Sequence, residues 1–249
     1  MLSKKMLVGG LLLTAILCLV GYSQADAQEP GDKAVFTYDE TALPDAKPWT
    51  SGNFRNDPGN FQFVIIGDRS GGANIEGTFN LAMEQLNLLQ PEFVINVGDL
   101  IEGYSDDPGE LTGEWDELDD ILAKLEMPFF RTPGNHDIAN ETAQQVWRER
   151  YGATRYSFVY QGALFLVLDS EDPPRSAPEG IKDKLELYQR LQTEDPEKAQ
   201  EMLEEFMADE AVIAGLSKPV EFSENQVTWI KETLAAVSYT HLRAHETYI

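Results

Sequence analysis

Hydrophobic and polar positions alternate between two periods along this chain. Phe61-Gln62-Phe63-Val64-Ile65-Ile66 is a short apolar run closed by Gly67-Asp68, which predicts a buried strand ending in a turn. From Thr78 to Leu89 the period becomes helical, with Phe79, Met83, Leu86 and Leu89 on one face. Phe93 to Val97 predicts a second strand, closed by Gly98-Asp99. Trp115, Leu118, Ile121, Leu122 and Leu125 mark a second amphipathic helix. Pro128 to Thr132 predicts a third strand, running into Pro133-Gly134-Asn135-His136-Asp137. The unit strand–loop–helix therefore repeats, as it does in α/β layered folds. Polar residues collect at the C-terminal strand ends, where open α/β sheets place their ligands.

Further along, a helix is expected near Glu141–Arg150, then a hairpin of Arg155–Tyr160 and Leu164–Asp169 turning at Gln161-Gly162. Residues 172–220 read as a helical insertion punctuated by Pro173, Pro174, Pro178 and Pro196. Its acids, Glu194, Asp195, Glu197, Glu201, Glu204, Glu205, Asp209 and Glu210, read as a solvated face. Ser223-Glu224-Asn225-Gln226 is a capping box opening a last helix with Val227, Ile230 and Leu234 on one side. Residues 28–60 are rich in Pro, Gly, Asp and Asn and show little periodicity. They are expected to form a leader packed on the domain, or a linker, with the core beginning at Phe61.

The 249 residues are 42% hydrophobic and 25% charged, which suits a folded domain. The charge is lopsided, with 19 basic against 43 acidic residues and a net −24. Such a surface repels nucleic-acid phosphates, and no basic stripe offsets it, so nucleic-acid binding is not expected. At the start, Lys4 and Lys5 precede an apolar run from Met6 to Val20, followed by Ala25-Asp26-Ala27. This is the pattern of a signal peptide cleaved after Ala27, which places the protein in the periplasm or outside the cell. The run is short for a membrane span, so none is expected after cleavage. Cleavage also removes Cys18, the only cysteine, and with it any thiolate or disulfide chemistry.

Three loops carry the candidate chemistry: Gly67-Asp68-Arg69-Ser70, Gly98-Asp99-Leu100 and Gly134-Asn135-His136-Asp137. Carboxylates that close adjacent strands can converge on one ion. Hard oxygen donors suit Mg²⁺ or Mn²⁺, and added imidazoles bring Zn²⁺ or Fe into range. Asp137, directly after His136, is placed to orient the imidazole or hold its charge.

The combination resembles the calcineurin-like metallophosphoesterases, in an exported bacterial branch. Their pattern is D-x-H, G-D-x-x and G-N-H-[DE], followed by a later His and G-H-x-H. The resemblance implies a two-sheet α/β sandwich flanked by helices, over residues 61–237. It implies hydrolysis of phosphate mono- or diesters, on a small molecule or a phosphoprotein, with two divalent ions (Mn, Fe or Zn). Asp68 would bind the first ion, Asp99 would bridge both and Asn135 would bind the second. His136 would contact the phosphate and protonate the leaving oxygen, with Asp137 as its partner.

The departures matter equally. Position 70 is Ser where the pattern has His, and Glu102 stands where purple acid phosphatases place a Tyr, with Tyr104 two residues late. The only histidines after His136 are His241 and His245, and they do not fit G-H-x-H. They fall in 238–249, which resembles a tail appended to unrelated reading frames. The sequence therefore reads as a C-terminally truncated domain with a non-native tail and little activity of its own. The rival expectation is a non-catalytic, phosphoesterase-like binding module with a degenerate metal site.

Overall fold

The computed structural model describes residues 36–44, 46–55, 61–70, 77–174, 180–210, 212–213 and 221–236. The expected signal segment 1–27, with Cys18, and the expected tail 238–249, with His241 and His245, lie outside the described residues. In chain order, the strands are β1 (Phe36–Tyr38), β2 (Phe63–Ile66), β3 (Phe93–Asn96), β4 (Phe129–Phe130), β5 (Tyr156–Tyr160) and β6 (Ala163–Val167). The helices are α1 (Thr78–Leu89), α2 (Pro108–Leu122), α3 (Glu141–Tyr151), α4 (Ile181–Glu194), α5 (Pro196–Ala208) and α6 (Glu224–Ala236).

Strands β2, β3 and β4 form a parallel sheet in that order, with Val64 opposite Val94 and Val94 opposite Phe129. Strands β1, β5 and β6 form an antiparallel sheet. The period of two along each strand decides what each face buries. Phe93, Ile95 and Phe130 turn toward Tyr156, Phe158, Tyr160, Phe165 and Val167 of the other sheet. Val94 and Phe129 turn the opposite way, onto α1, α2 and α3 through Met83, Leu86, Trp115, Leu118 and Trp147. On the far side, Leu164, Leu166 and Leu168 meet Trp229, Ile230 and Leu234 of α6. The result is the expected two-sheet sandwich flanked by helices.

The layer between the sheets is largely aromatic. Phe130 stacks on Phe158 at 4.2 Å, and Phe158 on Phe165 at 4.7 Å. Phe93 meets Phe130 and Phe165 edge-on, at 5.3 Å each. Beyond the area they bury, such pairs contribute about 0.5–1.5 kcal/mol each.

Several expectations change in detail. The core does not begin at Phe61, because β1 pairs with β5 and Trp49 bridges Phe130. The stretch around Pro48–Thr50 exchanges backbone hydrogen bonds with Phe129 and Arg131, so part of the expected leader extends the parallel sheet. Leu89, the last residue of α1, is 72% exposed rather than buried. The capping box is half formed. Ser223 Oγ accepts from the Gln226 backbone N–H, but the Gln226 side chain exchanges both of its amide hydrogen bonds with the backbone of Asp169. It thereby fastens α6 to the end of β6. The insertion contains α4 and α5, whose only buried residues are Leu191 and Ala199, and the acids named above are exposed as expected. No helix among the described residues is long and apolar enough to cross a membrane.

If the aromatic layer holds the two sheets together, Phe93→Ala should lower unfolding stability by about 3–5 kcal/mol in urea titration. Leu88→Ala, at a side chain 83% exposed, should change it by less than about 0.5 kcal/mol. Equal effects would contradict this placement of the core.

Candidate active site

The site begins where the parallel strands stop. β4 ends at Phe130, but the Asn96 side chain continues the ladder, donating to the Thr132 carbonyl (2.9 Å) and accepting from its N–H (2.7 Å). A fully buried amide so placed acts as an extra peptide group and holds the third loop against the end of β3.

Asp99 is the point where the three loops meet. It adopts a left-handed backbone, φ 55°, a region that Asp tolerates better than most residues. Its carbonyl accepts from the N–H groups of Arg69 (2.9 Å) and Ser70 (3.1 Å), which draws in the first loop. Its Oδ1 accepts from the His136 N–H (3.0 Å), which draws in the third. Gly134 is required here, because a Cβ would lie 2.1 Å from Asp99 Oδ1. Arg69 adds a clip, its guanidinium donating to the Leu100 carbonyl and to Glu117 of α2.

Asp137 does not partner the imidazole. Its carboxylate is completely buried and accepts from the backbone N–H groups of Leu100 (2.9 Å), Ile101 (3.1 Å) and Gly134 (2.8 Å). Three donors at the turn from strand to loop would otherwise be buried without acceptors, so the side chain turns to the backbone. Burial, and then the Asp99 charge, push the Asp137 carboxyl well above the usual carboxylate range. His136 is oriented instead by the backbone carbonyl of Glu102, 2.7 Å from Nδ1. A carbonyl only accepts, so Nδ1 carries the proton, which leaves Nε2 as the ring nitrogen available for chemistry.

Two residues outside the set expected from the sequence complete the surroundings. Tyr104 brings its hydroxyl to Asn135, whose Nδ2 donates to it at 2.6 Å, and its ring meets the His136 ring edge-on at 4.7 Å. The chain reaches this position through consecutive left-handed residues, Gly103 (φ 63°) and Tyr104 (φ 57°), with Gly103 packed on the His136 carbonyl. Glu171, buried beyond the end of β6, adds its charge to the field at Asp99 and Tyr104. The polar run Asp169-Ser170-Glu171 after an apolar strand is the sequence signal that points to it. Glu171 also lines a cleft of about 740 Å³ with Asp169, Arg148 and Ile138, to which Asp68, Asp99, Asn135 and His136 do not contribute.

The field at this junction disfavours free carboxylates. Burial raises Asp68, with the nearby His136 opposing it. Asp99 is pushed up to about 6, mainly by burial and further by Asp68 and Glu171, against His136. Desolvated carboxylates of like charge form a place that a divalent cation would relieve. Asp68, Asp99 and the side-chain oxygen of Asn135 offer oxygen donors that fit a hard cation, the Asn135 amide nitrogen being already spent on Tyr104. No cluster of three or more His, Cys, Asp or Glu able to hold an ion occurs among the described residues.

A carboxylate held there ionised without a cation should reduce stability. The folded value for Asp99, about 6, lies above the ordinary ~3.9. The favourable contribution is thus present below about pH 4 and lost as pH rises through 6. Asp99→Asn keeps an oxygen for the His136 N–H and tolerates the left-handed backbone. In chelator at pH 7.5 it should be more stable than the parent by about 1–2 kcal/mol, with the gain vanishing near pH 4. Greater stability of the parent at pH 7.5 would contradict this electrostatic reading.

A family model described as calcineurin-like phosphoesterase matches residues 59–243. No curated protein and no solved structure matches the chain. The matched span covers most of the sequence and contains all three loops that meet at Asp99. The chain belongs to the calcineurin-like phosphoesterase family.

Proposed function

We propose that this protein hydrolyses phosphate mono- or diesters with divalent cations held by Asp68, Asp99 and Asn135, and with His136 as the acid for the leaving oxygen. The observation that supports this most is the convergence of three strand-end loops on Asp99, with the His136 imidazole locked by the Glu102 carbonyl. When bound, such cations offset the charge of the phosphoryl oxygens and lower the pKa of water. The chain's own residues do the rest. Asp99 sets the spacing of the loops, and Asp137 keeps their backbone rigid. His136, with Nδ1 committed, directs Nε2 at the ester, where the imidazolium form gives its proton to the departing oxygen.

The finer parts of the reading rest on the sequence. Mn, Fe and Zn are the cations in view, the substrate is a small-molecule or phosphoprotein ester, and residues 1–27 direct export. Turnover by the 249-residue chain should be low, because Ser70 stands where the family pattern has a ligand His. A second reading, a non-catalytic binding module, is favoured by Ser70, which is buried where the family pattern has a ligand His and contributes its N–H to the Asp99 carbonyl.

The full chain should hydrolyse p-nitrophenyl phosphate slowly with Mn²⁺ and not at all in chelator or as Asp99→Asn. His136→Ala should lower turnover of an alkyl phosphate by about 10²-fold or more, and of the activated aryl ester much less. Hydrolysis unchanged by chelator would contradict the proposal. Cation binding without hydrolysis of either ester would favour the second reading.

A further inference from the structure

The Tyr104 hydroxyl is only half used. Its oxygen accepts from Asn135 Nδ2 at 2.6 Å, but its own proton meets no acceptor among the described residues. A phenol so placed, part-buried and edge-on to the His136 ring, needs an acceptor that the protein does not supply. Its backbone is held at φ 57°, which a bulky side chain rarely adopts, directly after left-handed Gly103. Strain of this kind persists where the surrounding structure enforces it, and here Gly103 is wedged on the His136 carbonyl. The chain is thus bent at two successive residues, and the bend delivers one hydroxyl to the Asn135–His136 corner.

We propose that Tyr104 donates its hydroxyl proton to a phosphoryl oxygen of the bound ester, as a neutral oxyanion ligand between Asn135 and His136. This rests on the phosphoesterase reading and adds a substrate contact that none of the three loops supplies. The geometry gives the donation a direction. With one lone pair held by the Asn135 amide, the O–H is turned away from Asn135. Polarised by that bond, the hydroxyl is a better donor than an isolated phenol. A neutral donor also suits this corner. It binds an oxyanion without a charge of its own, so it does not compete with a cation for Asp68 and Asp99.

The test is Tyr104→Phe in the full chain, which keeps the ring against His136 and removes only the hydroxyl. Binding of Mn²⁺, and then of orthovanadate to the Mn²⁺-loaded protein, is measured by titration calorimetry. Vanadate affinity should fall about 10-fold or more, while Mn²⁺ affinity stays within about 2-fold. Loss of Mn²⁺ affinity with vanadate affinity unchanged would reduce Tyr104 to a prop for Asn135 and overturn the proposal, as would no change in either. If Tyr104→Phe fails to fold, difluorotyrosine at position 104, a stronger donor, should tighten vanadate binding, and weaker or unchanged binding would overturn the proposal. A parent protein that hydrolyses phosphoesters while the variant keeps full vanadate affinity defeats this inference alone. A parent that neither binds vanadate nor hydrolyses esters defeats the phosphoesterase reading with it.

Discussion

Two buried carboxylates, Asp99 and Asp137, hold the ends of the parallel strands together, and the rest of the site depends on them. Asp137 gathers the backbone of the second and third loops through three N–H groups. Asp99 gathers the first loop through its carbonyl and the third through Oδ1. Asp99 reaches its place because Gly134 lacks the Cβ that would strike it. The aromatic layer beneath fixes the strands, and these carboxylates turn that fixed spacing into a fixed spacing of functional groups.

The arrangement trades stability for chemistry. Burial raises the pKa of both Asp68 and Asp99, and the charges of Asp68 and Glu171 raise Asp99 further. A core built only for stability would not hold unneutralised acids so close. A divalent cation placed between them would relieve the field that opposes their ionisation. A strongly acidic chain, with a net charge of −24, can in this way have one locus suited to a phosphate ester.

Much of this is legible in the sequence, for physical reasons that can be named. Short apolar runs closed by Gly-Asp or Gly-Asn-His-Asp announce strand ends, and so assign Asp68, Asp99, Asn135 and His136 to one end of one sheet. The role of Asp137 is not legible in that way. Adjacency to His136 says nothing of direction, and the unmet N–H groups at the turn claim its carboxylate. Tyr104 is obscured because its position depends on two consecutive left-handed residues rather than on spacing from Asp99. Strand β1, three residues long, is too brief for a period of two to show. Leu89 follows the helical period, but as the last residue of its helix it lies exposed.

The central claim is that the loops at Asp68, Asp99 and Asn135 form one cation site. Paramagnetic broadening of backbone amide NMR signals by substoichiometric Mn²⁺ tests it most directly. The account predicts that broadening begins at residues 68–70, 98–100 and 134–137 together, before any other part of the chain. Broadening that starts on the exposed acids of α4 and α5, with the three loops unaffected, would contradict it.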